Sequence, residues 1–485
     1  MPVAGFIGQQ ILAVPAYLIG AVTAIGLIVL RRKATQVIGG ALKAALGYLV
    51  IGVGVGVVTA ALGPAGALVV RMLGVDGVVP PEASPLGLIS AEYGAQAAYV
   101  LLLGFVVMLV LARVTPLRYV FLTGHHMVFM AVTLTVLLTG GLPQASWLVV
   151  VVGGFLLGVA MVVMPALAHP FTRKVTGDDT IAIGHFGTMG FIAAGFTGWV
   201  VGKKSPSADD IVWPRSLRFL REPMLAMASS MVVLYLVVAV WGLFAVPFPD
   251  AAAVFGTSPD GAGAYLAAAF AQALQFGVGT AIVMFGAKTV LGEIVPAFDG
   301  LAARLVPGAK PALDIPLFFR YAPNAVLIGF VGSFLGGLAT LVVLTLWLGP
   351  AFGLVVVLPG MAMHFFSGGG AGVYGNATGG RLGALCGGFV NGVMVSVVTA
   401  FLLMLVHRAG FPGNLVGGAD LGWFGSAIGL GLDGGPVLGV IVDVLLGCSM
   451  IFGASTYQRL LTDRGWTPGI MREYALMRRG GTFAG

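Results

Sequence analysis

EIVPAFDGLAARLVPGAKPALDIPLFFRYAPNA, residues 293–325, is a polar segment broken by prolines and set between two long apolar runs. Inside a bilayer, an irregular backbone and a carboxylate are tolerated only where they are buried in protein or line a cavity. We therefore predict that this segment lies on the path of a transported solute.

The composition outside this segment is that of a membrane protein. Of the 485 residues, 58% are hydrophobic and only 9% are charged, whereas a soluble domain carries about 25% charged residues. The 76 glycines fit the same class, because small residues let membrane helices approach closely. We predict an all-α polytopic membrane protein. The net charge of +7 comes from basic residues in loops, where they set topology, so no nucleic-acid partner is expected.

Eleven apolar runs have about the 20 residues that a membrane-spanning helix needs. They are 7–30, 37–62, 93–112, 119–140, 146–168, 224–247, 263–288, 323–347, 351–366, 382–406 and 436–455. The run 421–433 is a further span or a half-span. With Arg31, Arg32 and Lys33 in the cytoplasm, the N-terminus lies outside, and nearly all other basic residues then fall on the cytoplasmic side.

We predict one integral-membrane domain over residues 1–485, with halves of about 1–222 and 223–456. A tail, 457–485, would lie in the cytoplasm. No segment is long and polar enough for a soluble domain, so any chemistry that needs one must come from another chain. We expect no catalytic residue and no cofactor in this chain.

Three segments are too apolar for ordinary loops and too broken for spans, and each predicts a re-entrant or hairpin element. They are 178–202, 289–322 and 365–381. A helix that stops within the membrane presents unpaired N–H groups, which suit an anion or a sugar hydroxyl. Two glycine-rich elements, one in each half, favour an inverted repeat.

Asp314 has two interpretations. It accepts hydroxyl groups of a solute or binds an ion or proton, or it is neutralised by Arg320 or Lys310 at the cytoplasmic interface. For Glu293 and Asp299, which lie closer to that interface, a structural role is favoured.

Three histidines lie in segments that predict function. His125 and His126 follow Gly124 early in the fourth span, at a depth where polar residues are usually functional. Neighbours on a helix point about 100° apart, so the sequence leaves open which of the two faces the cavity. His185, in the first broken segment, either donates to a solute oxygen or bonds to a local carbonyl.

The remaining histidines and both cysteines predict structural roles. His364 and His407 are expected at the interface, and His169 at the end of a span. Cys386 and Cys448 are too few for a disulfide framework and lack metal-ligand spacing, so they are interpreted as small apolar residues. We expect no metal site.

Eight motifs, in order along the chain, resemble those of the ascorbate-type membrane component (enzyme IIC) of the bacterial phosphotransferase system. They are LRRKATQVIGGALKAALGYLV (30–50), LTGHH (122–126), TGDDTIAIGH (176–185), GKK (202–204), GEIVPAFDGLAARLVPGA (292–309), LDIPLFFRYAPNAV (313–326), FFSGGGAGVYGN (365–376) and GGADLGW (417–423).

The resemblance implies a multi-pass homodimer in the bacterial cytoplasmic membrane, in contact with membrane lipid. Each subunit would have a core domain that carries a sugar acid such as ascorbate, and a V-shaped domain that forms the dimer contact. Transport would be an elevator-like movement of the core. Separate IIB and IIA proteins would supply the phosphoryl group.

The resemblance also implies a substrate site. The family's polar residues fall on His125, His185 and Asp314. Two of its glutamines are replaced by Phe129 and Phe186, which remove amide donors and acceptors and would form apolar walls.

The family's Thr-Tyr pair falls on Glu82 and Ala83, and the backbone of Gly368–Gly370 would close the second hairpin tip. Because a polyhydroxylated ring loses roughly 1–3 kcal/mol for each unpaired bonding group, these replacements bear on which solute is carried.

We therefore expect an inward carrier of a small hydroxylated solute, coupled to phosphotransfer. Two alternatives stay open. One is a carrier of the same fold driven by a gradient, with Asp314 or Glu293 titrating a proton. The other is an accessory subunit of a membrane complex with a vestigial pocket.

Overall fold

The computed structural model describes most of the chain. The described residues are 14–74, 77–78, 94–142, 146–202, 205–210, 214–216, 223–256, 261–304, 306–411, 418–432 and 434–468. Glu82, Ala83 and residues 7–13 of the first predicted span lie outside these ranges.

Helices make up nearly all of the described structure, and three short strands interrupt them. In chain order the elements are α1 Pro15–Val29, α2 Ala34–Leu73, α3 Gly94–Val114, β1 Tyr119–Phe121, α4 Gly124–Gly141, α5 Ser146–Thr176, β2 Ala182–Ile183, α6 Thr188–Val201, α7 Pro223–Ala245, α8 Phe248–Val254, α9 Ala262–Arg304, β3 Lys310–Leu313, α10 Pro323–Val343, α11 Gly349–Phe352, α12 Met361–Arg408, α13 Ala419–Leu432 and α14 Pro436–Tyr457. Short 3₁₀ turns follow β3, and π-helical turns join α10 to α11 and extend α14 to Thr462.

Among the described residues, nine helices are long and apolar enough to cross a membrane. The longest of them, α12, is broken at Gly379 and Gly380, whose backbone angles are non-helical. Its two arms fold back on each other, because Asn391 Nδ2 donates to Ser367 Oγ at 3.1 Å, whereas 24 residues of straight helix would separate them by about 36 Å. Counting the two arms of α12 separately gives ten such segments in the described chain, and α1, with 15 described residues, lies within the first of the eleven predicted spans.

The glycine-rich segment 365–381 was predicted to be a broken re-entrant element, and this prediction is wrong. It is helical up to the tight turn at Gly379–Gly380, and the span predicted at 351–366 is displaced to a helix over 361–378. The glycines allow backbone contact rather than a break. A Cβ at Gly372 would overlap the carbonyl oxygen of Ala325 on α10, so these small residues let the helices pack closely.

Two short helices lie in the segment 178–202, predicted as a re-entrant or hairpin element, and in the run 421–433, predicted as a further span or a half-span. α6 and α13 each have 14 residues, about 21 Å of helix, which is too short for a hydrocarbon core of about 30 Å. α6 packs along the second arm of α12, with Gly190 beside Asn391 and Gly198 beside Gly383. The first re-entrant prediction, 178–202, agrees with this arrangement.

The predicted break at 289–322 is confirmed only for its second half. α9 remains helical through Pro296 to Arg304, although a proline removes one intrahelical hydrogen bond. Close contact with α1 accompanies that stretch, because a Cβ at Gly26 would overlap the backbone of Ala297. The irregular chain starts only after Arg304.

The three strands form a small parallel sheet in the order β1-β3-β2. Tyr119 is opposite Lys310 in the first pair, and Ile183 is opposite Leu313 in the second. All three strands begin at the end of the molecule that carries Arg118, Arg173 and Lys310, and run inward. Their carboxyl ends therefore meet at one edge within the helical bundle.

Gly372 provides a test of the close packing between α10 and α12. Substitution G372A places a methyl group against the backbone of Ala325, so we expect a loss of about 1–3 kcal/mol, the usual effect of overpacking. A methyl group added at Gly56 on α2 would meet nothing within 4 Å, so G56A is the matched control. The thermal unfolding midpoint in detergent should fall for G372A only. An equal midpoint for both variants would contradict the described contact.

Candidate functional site

The carboxyl edge of the three-stranded sheet collects the polar residues of the site. β1 leads through Leu122 and Thr123 into the first turn of α4, which carries His125 and His126. β2 is followed by Gly184 and then His185, and β3 is followed directly by Asp314. Parallel strands thus bring three distant parts of the chain to one place.

Backbone hydrogen bonds extend the sheet up to this edge. Leu122 N donates to Ala312 O at 3.0 Å, and Gly184 N donates to Leu313 O at 2.7 Å. A Cβ at Gly184 would overlap the carbonyl of Ala312. A glycine is therefore needed immediately before His185 for the strands to approach this closely.

Asp314 is the centre of the site and is only 5% exposed. Its Oδ1 accepts the backbone N–H of Ile315 at 2.8 Å, and its Oδ2 accepts the hydroxyl of Tyr48 at 3.2 Å. His125 Nε2 lies 3.5 Å from Oδ2, and His126 Nε2 lies 3.8 Å from Oδ1. The carboxylate thus faces two imidazoles and a phenol within one small space.

Neither basic residue considered as a partner for Asp314 reaches it. Lys310 Nζ bonds to Asp179 Oδ2 at 2.6 Å and lies 3.1 Å from His169 Nε2. The Arg320 guanidinium lies over the ring of Tyr321, 5.5 Å from its centroid. The interpretation of Asp314 as a carboxylate neutralised at the interface is therefore wrong. Within the described chain, Asp314 has histidines as its only ion-pair partners.

Asp179, Lys310 and His169 instead fix the outer ends of two strands. Asp179 lies on the loop before β2, and Lys310 is the first residue of β3, so their ion pair ties the two strand entrances together. Burial raises the pKa of Asp179, but hydrogen bonds from His169 and Lys310 outweigh it and hold the pKa well below its usual range. The charged pair therefore persists at neutral pH. The prediction that His169 lies at the end of a span is consistent with its place in this network.

Sequence reasoning missed Tyr48 and did not decide between His125 and His126. Tyr48 lies on α2, and its hydroxyl is 3.4 Å from His125 Nδ1 as well as 3.2 Å from Asp314. The one signal in the sequence was a phenol within an otherwise apolar span. His126 faces the cluster together with His125, because both Nε2 atoms lie close to the Asp314 carboxylate.

His185 lies at the inner side of the cluster. Its ring centroid is 4.0 Å from that of His126 and 5.3 Å from that of Phe191. Its Nδ1 is buried and has no hydrogen-bond partner, and the same is true of His126 Nδ1. The alternative in which the His185 side chain bonds to a local carbonyl is not found. Two buried imidazole nitrogens thus remain available to a ligand.

The two phenylalanines that replace family glutamines occupy different positions. Phe129 is half-buried and presents its ring edge-on to His125 and His126, at centroid distances of 5.6 and 5.8 Å. Phe186 is 1% exposed and stacks on Phe121 at 5.0 Å, behind the histidines. Phe129 can form a wall of the cluster, whereas Phe186 supports it from behind.

Gly368–Gly370 do not form a hairpin tip. They lie in the middle of the first arm of α12, where a Cβ would meet Ser333, Val326 or Ile315. Their small size serves helix packing, so the expectation that their backbone closes the substrate site is corrected.

His364 is fully buried within the protein, and its place at the membrane interface stays a prediction. Its Nδ1 lies 2.8 Å from Ser333 Oγ, and Ser333 in turn accepts from Asn391. This polar group joins α10 to both arms of α12. Such hydrogen bonds between membrane helices are worth about 0.6 kcal/mol on average.

Asp420 holds the inner end of α6 in place. Its carboxylate accepts the backbone N–H groups of Thr188 and Met189 at 2.8 and 2.9 Å, and Trp423 Nε1 donates to it at 3.2 Å. Two half-helices therefore meet through one buried carboxylate. This N-terminal cap positions the turn that carries His185.

Asp420 gives a direct test of this cap. D420A removes the acceptor for two buried N–H groups, so we expect faster amide hydrogen exchange at Thr188 and Met189 and a loss of stability of about 0.5–2 kcal/mol. Asp250, in the exposed first turn of α8, provides the control D250A. Peptide-resolved exchange by mass spectrometry measures both variants. Unchanged exchange over residues 184–192 in D420A would contradict the cap.

Comparisons with known proteins show the family to which the chain belongs. A family model described as "PTS system sugar-specific permease component" matches residues 10–435. The "Ascorbate-specific PTS system EIIC component" of Mycoplasma pneumoniae is 27% identical over an alignment of 438 residues, which covers 81% of this chain and 66% of that protein. The chain thus spans just under two thirds of the length of that relative. The present chain is a multi-pass membrane protein that belongs to the family of sugar-specific permease components of the phosphotransferase system.

Proposed function

We propose that this chain carries a small hydroxylated solute, ascorbate or a related sugar acid, inward across the bacterial cytoplasmic membrane as a IIC permease. The N-terminus would lie outside and the C-terminus in the cytoplasm. The chain itself would make and break no covalent bond. The observation that carries the proposal is the cluster of Asp314 and three histidines at the inner edge of the sheet.

The chemistry of the cluster suits a polyhydroxylated solute. A carboxylate accepts hydroxyl protons, and a neutral imidazole can either donate or accept. His126 Nδ1 and His185 Nδ1 are buried without partners, and a buried polar atom left unpaired costs about 1–3 kcal/mol. A solute that bonds to them would recover that energy. The half-buried ring of Phe129 supplies an apolar wall for the C–H face of a sugar.

Tyr48 supports a carrier that alternates between two states. α2 packs along α9, with Gly54 against Val283, and reaches the sheet through the Tyr48 hydroxyl. That hydroxyl occupies positions on Asp314 and His125 that a solute hydroxyl would use. We propose that solute binding displaces it and that the sheet, α10 and α12 move as a core relative to α2 and α9. The dimer contact would then belong to the group that contains α2 and α9.

Phosphorylation would require a second protein. A solute hydroxyl oxygen would attack phosphorus on a phosphorylated IIB protein, the bond between phosphorus and IIB would break, and the hydroxyl proton would pass to solvent. IIA would in turn supply IIB. The alternative carrier, driven by a gradient, would instead use Asp314 beside His125 as a proton site.

The binding site is tested by removing the charge of Asp314. For the D314N variant we expect at least a tenfold weaker affinity for ascorbate or the sugar acid that binds, because a hydrogen bond to a charged group is worth about 1.5–3 kcal/mol. Glu293 is paired with Lys43 at 3.3 Å outside the cluster, so E293Q is the matched control. Isothermal titration with ascorbate and a panel of sugar acids gives the affinities. Equal affinity in D314N and wild type would contradict the assignment.

Coupling is tested in proteoliposomes that contain the purified permease. With phosphorylated IIB inside, we expect labelled solute to accumulate as a phosphate ester, and with unphosphorylated IIB we expect no accumulation. Accumulation of unmodified solute under a pH gradient alone would contradict coupling and favour the gradient-driven carrier. Absence of both uptake and binding would favour an accessory subunit.

A further inference from the structure

His125, His126 and Asp314 form a second kind of arrangement, that of metal ligands. One nitrogen from each histidine and one carboxylate oxygen lie within 4.8 Å of one another. We propose that these three side chains bind a divalent transition-metal ion of the Zn²⁺ class. The metal site was not expected from the sequence, because its ligands come from α4 and from the end of β3, two distant segments.

The donor set fits such an ion. Two imidazoles, one carboxylate and an open fourth position are the ligands of one class of zinc site. Bonds of about 2.0–2.1 Å in a tetrahedron place ligand atoms about 3.3 Å apart. Asp314 Oδ2 is 3.5 Å from His125 Nε2, and Asp314 Oδ1 is 3.8 Å from His126 Nε2. Small side-chain rotations would therefore bring the three groups to coordinating distance.

The groups around the ligands support the same conclusion. Ligating histidines and carboxylates are normally oriented by hydrogen bonds from a second layer of residues. Tyr48 lies 3.4 Å from His125 Nδ1, which leaves Nε2 directed at the carboxylate. The same hydroxyl and the N–H of Ile315 each hold one oxygen of Asp314. Two of the three ligands are thus already oriented.

Charge and exposure favour a cation at this position. Asp314 is almost fully buried and has no Lys or Arg partner among the described ion pairs, and a buried charge needs an opposite charge nearby. The His126 side chain is only 12% exposed. Phe129 and Phe186 flank His126 with apolar rings instead of amides, so few groups other than the three ligands compete for the ion.

A bound metal would regulate transport. Because the metal and the solute use His125 and Asp314, a bound ion would exclude a solute that needs those groups free. The competition rests on the proposed function, whereas metal binding by itself does not. We therefore expect Zn²⁺ to inhibit the carrier by occupying its substrate site.

The experiment uses the full-length protein, purified without a histidine tag and treated with a chelator. Isothermal titration with ZnCl₂ should give one site per chain, weakened at least tenfold in H126Q and D314N and about tenfold in Y48F. His407 lies in the last turn of α12, outside the cluster, so H407N should bind as wild type does. X-ray absorption at the zinc edge of the wild-type complex should show two imidazoles and oxygen ligands at about 2.0–2.1 Å.

The outcomes separate this inference from the proposed function. The metal site would be overturned if the wild-type protein did not bind zinc, or if H126Q and D314N both bound it as tightly as wild type. If the variants do not fold, a wild-type absorption spectrum without two imidazole ligands would overturn it. Solute titration of the chelator-treated protein tests the proposed function independently. Simultaneous binding of zinc and ascorbate would overturn the competition. Zinc binding without any solute binding would leave the metal site and remove the carrier.

Discussion

The burial of the Asp314 carboxylate is the constraint on which the rest of this structure depends. A carboxylate within a membrane protein is costly unless hydrogen-bond donors and opposite charges surround it. Here Tyr48 on α2 and the backbone N–H of Ile315 donate to the carboxylate, and His125 Nε2 on α4 lies 3.5 Å from it. Parallel strands of two to four residues bring these partners together, and the Asp179–Lys310 pair fixes the strand entrances. Loss of the contacts to Asp314 would leave its charge with fewer partners inside the bundle.

Small residues make this arrangement possible in a bilayer, where packing rather than the hydrophobic effect drives helix association. Gly329 and Gly372 allow α10 and the first arm of α12 to touch at their backbones, and Gly198 does the same for α6. The half-helices α6 and α13 then end beside the sheet, joined through Asp420. The polar groups at the edge of the sheet thus lie between these half-helices and α2, which reaches them through the Tyr48 hydroxyl.

Hydropathy and breaks in it were enough to predict most of the fold. Long apolar runs predicted most of the spans, and the polar interruption around His185 predicted the short helix α6. The first arm of α12 could not be predicted, because glycines at 368–370 favour a break in isolation and a helix only when α10 packs against them. The strands were also missed, since two to four residues carry no alternation of polar and apolar side chains.

The main polar residues of the cluster could be predicted from the sequence, but the residues that contact them could not. Asp314, His125 and His185 stood out as polar groups in apolar surroundings and as matches to family motifs. Lys310 forms its ion pair with Asp179 rather than with Asp314. This pairing depends on the register of β2 and β3, which local sequence does not encode. Tyr48 lies 266 positions before Asp314 in the chain. Its hydrogen bond to Asp314 depends on how α2 packs against the sheet.

The most direct measurement is an electron cryo-microscopy map of the purified protein with millimolar ascorbate or the sugar acid that binds most tightly. We predict solute density within hydrogen-bond distance of Asp314 and at least one of the three histidines, with the Tyr48 hydroxyl displaced from the carboxylate. Solute density elsewhere in the molecule, with Tyr48 still bonded to Asp314, would contradict the proposed site.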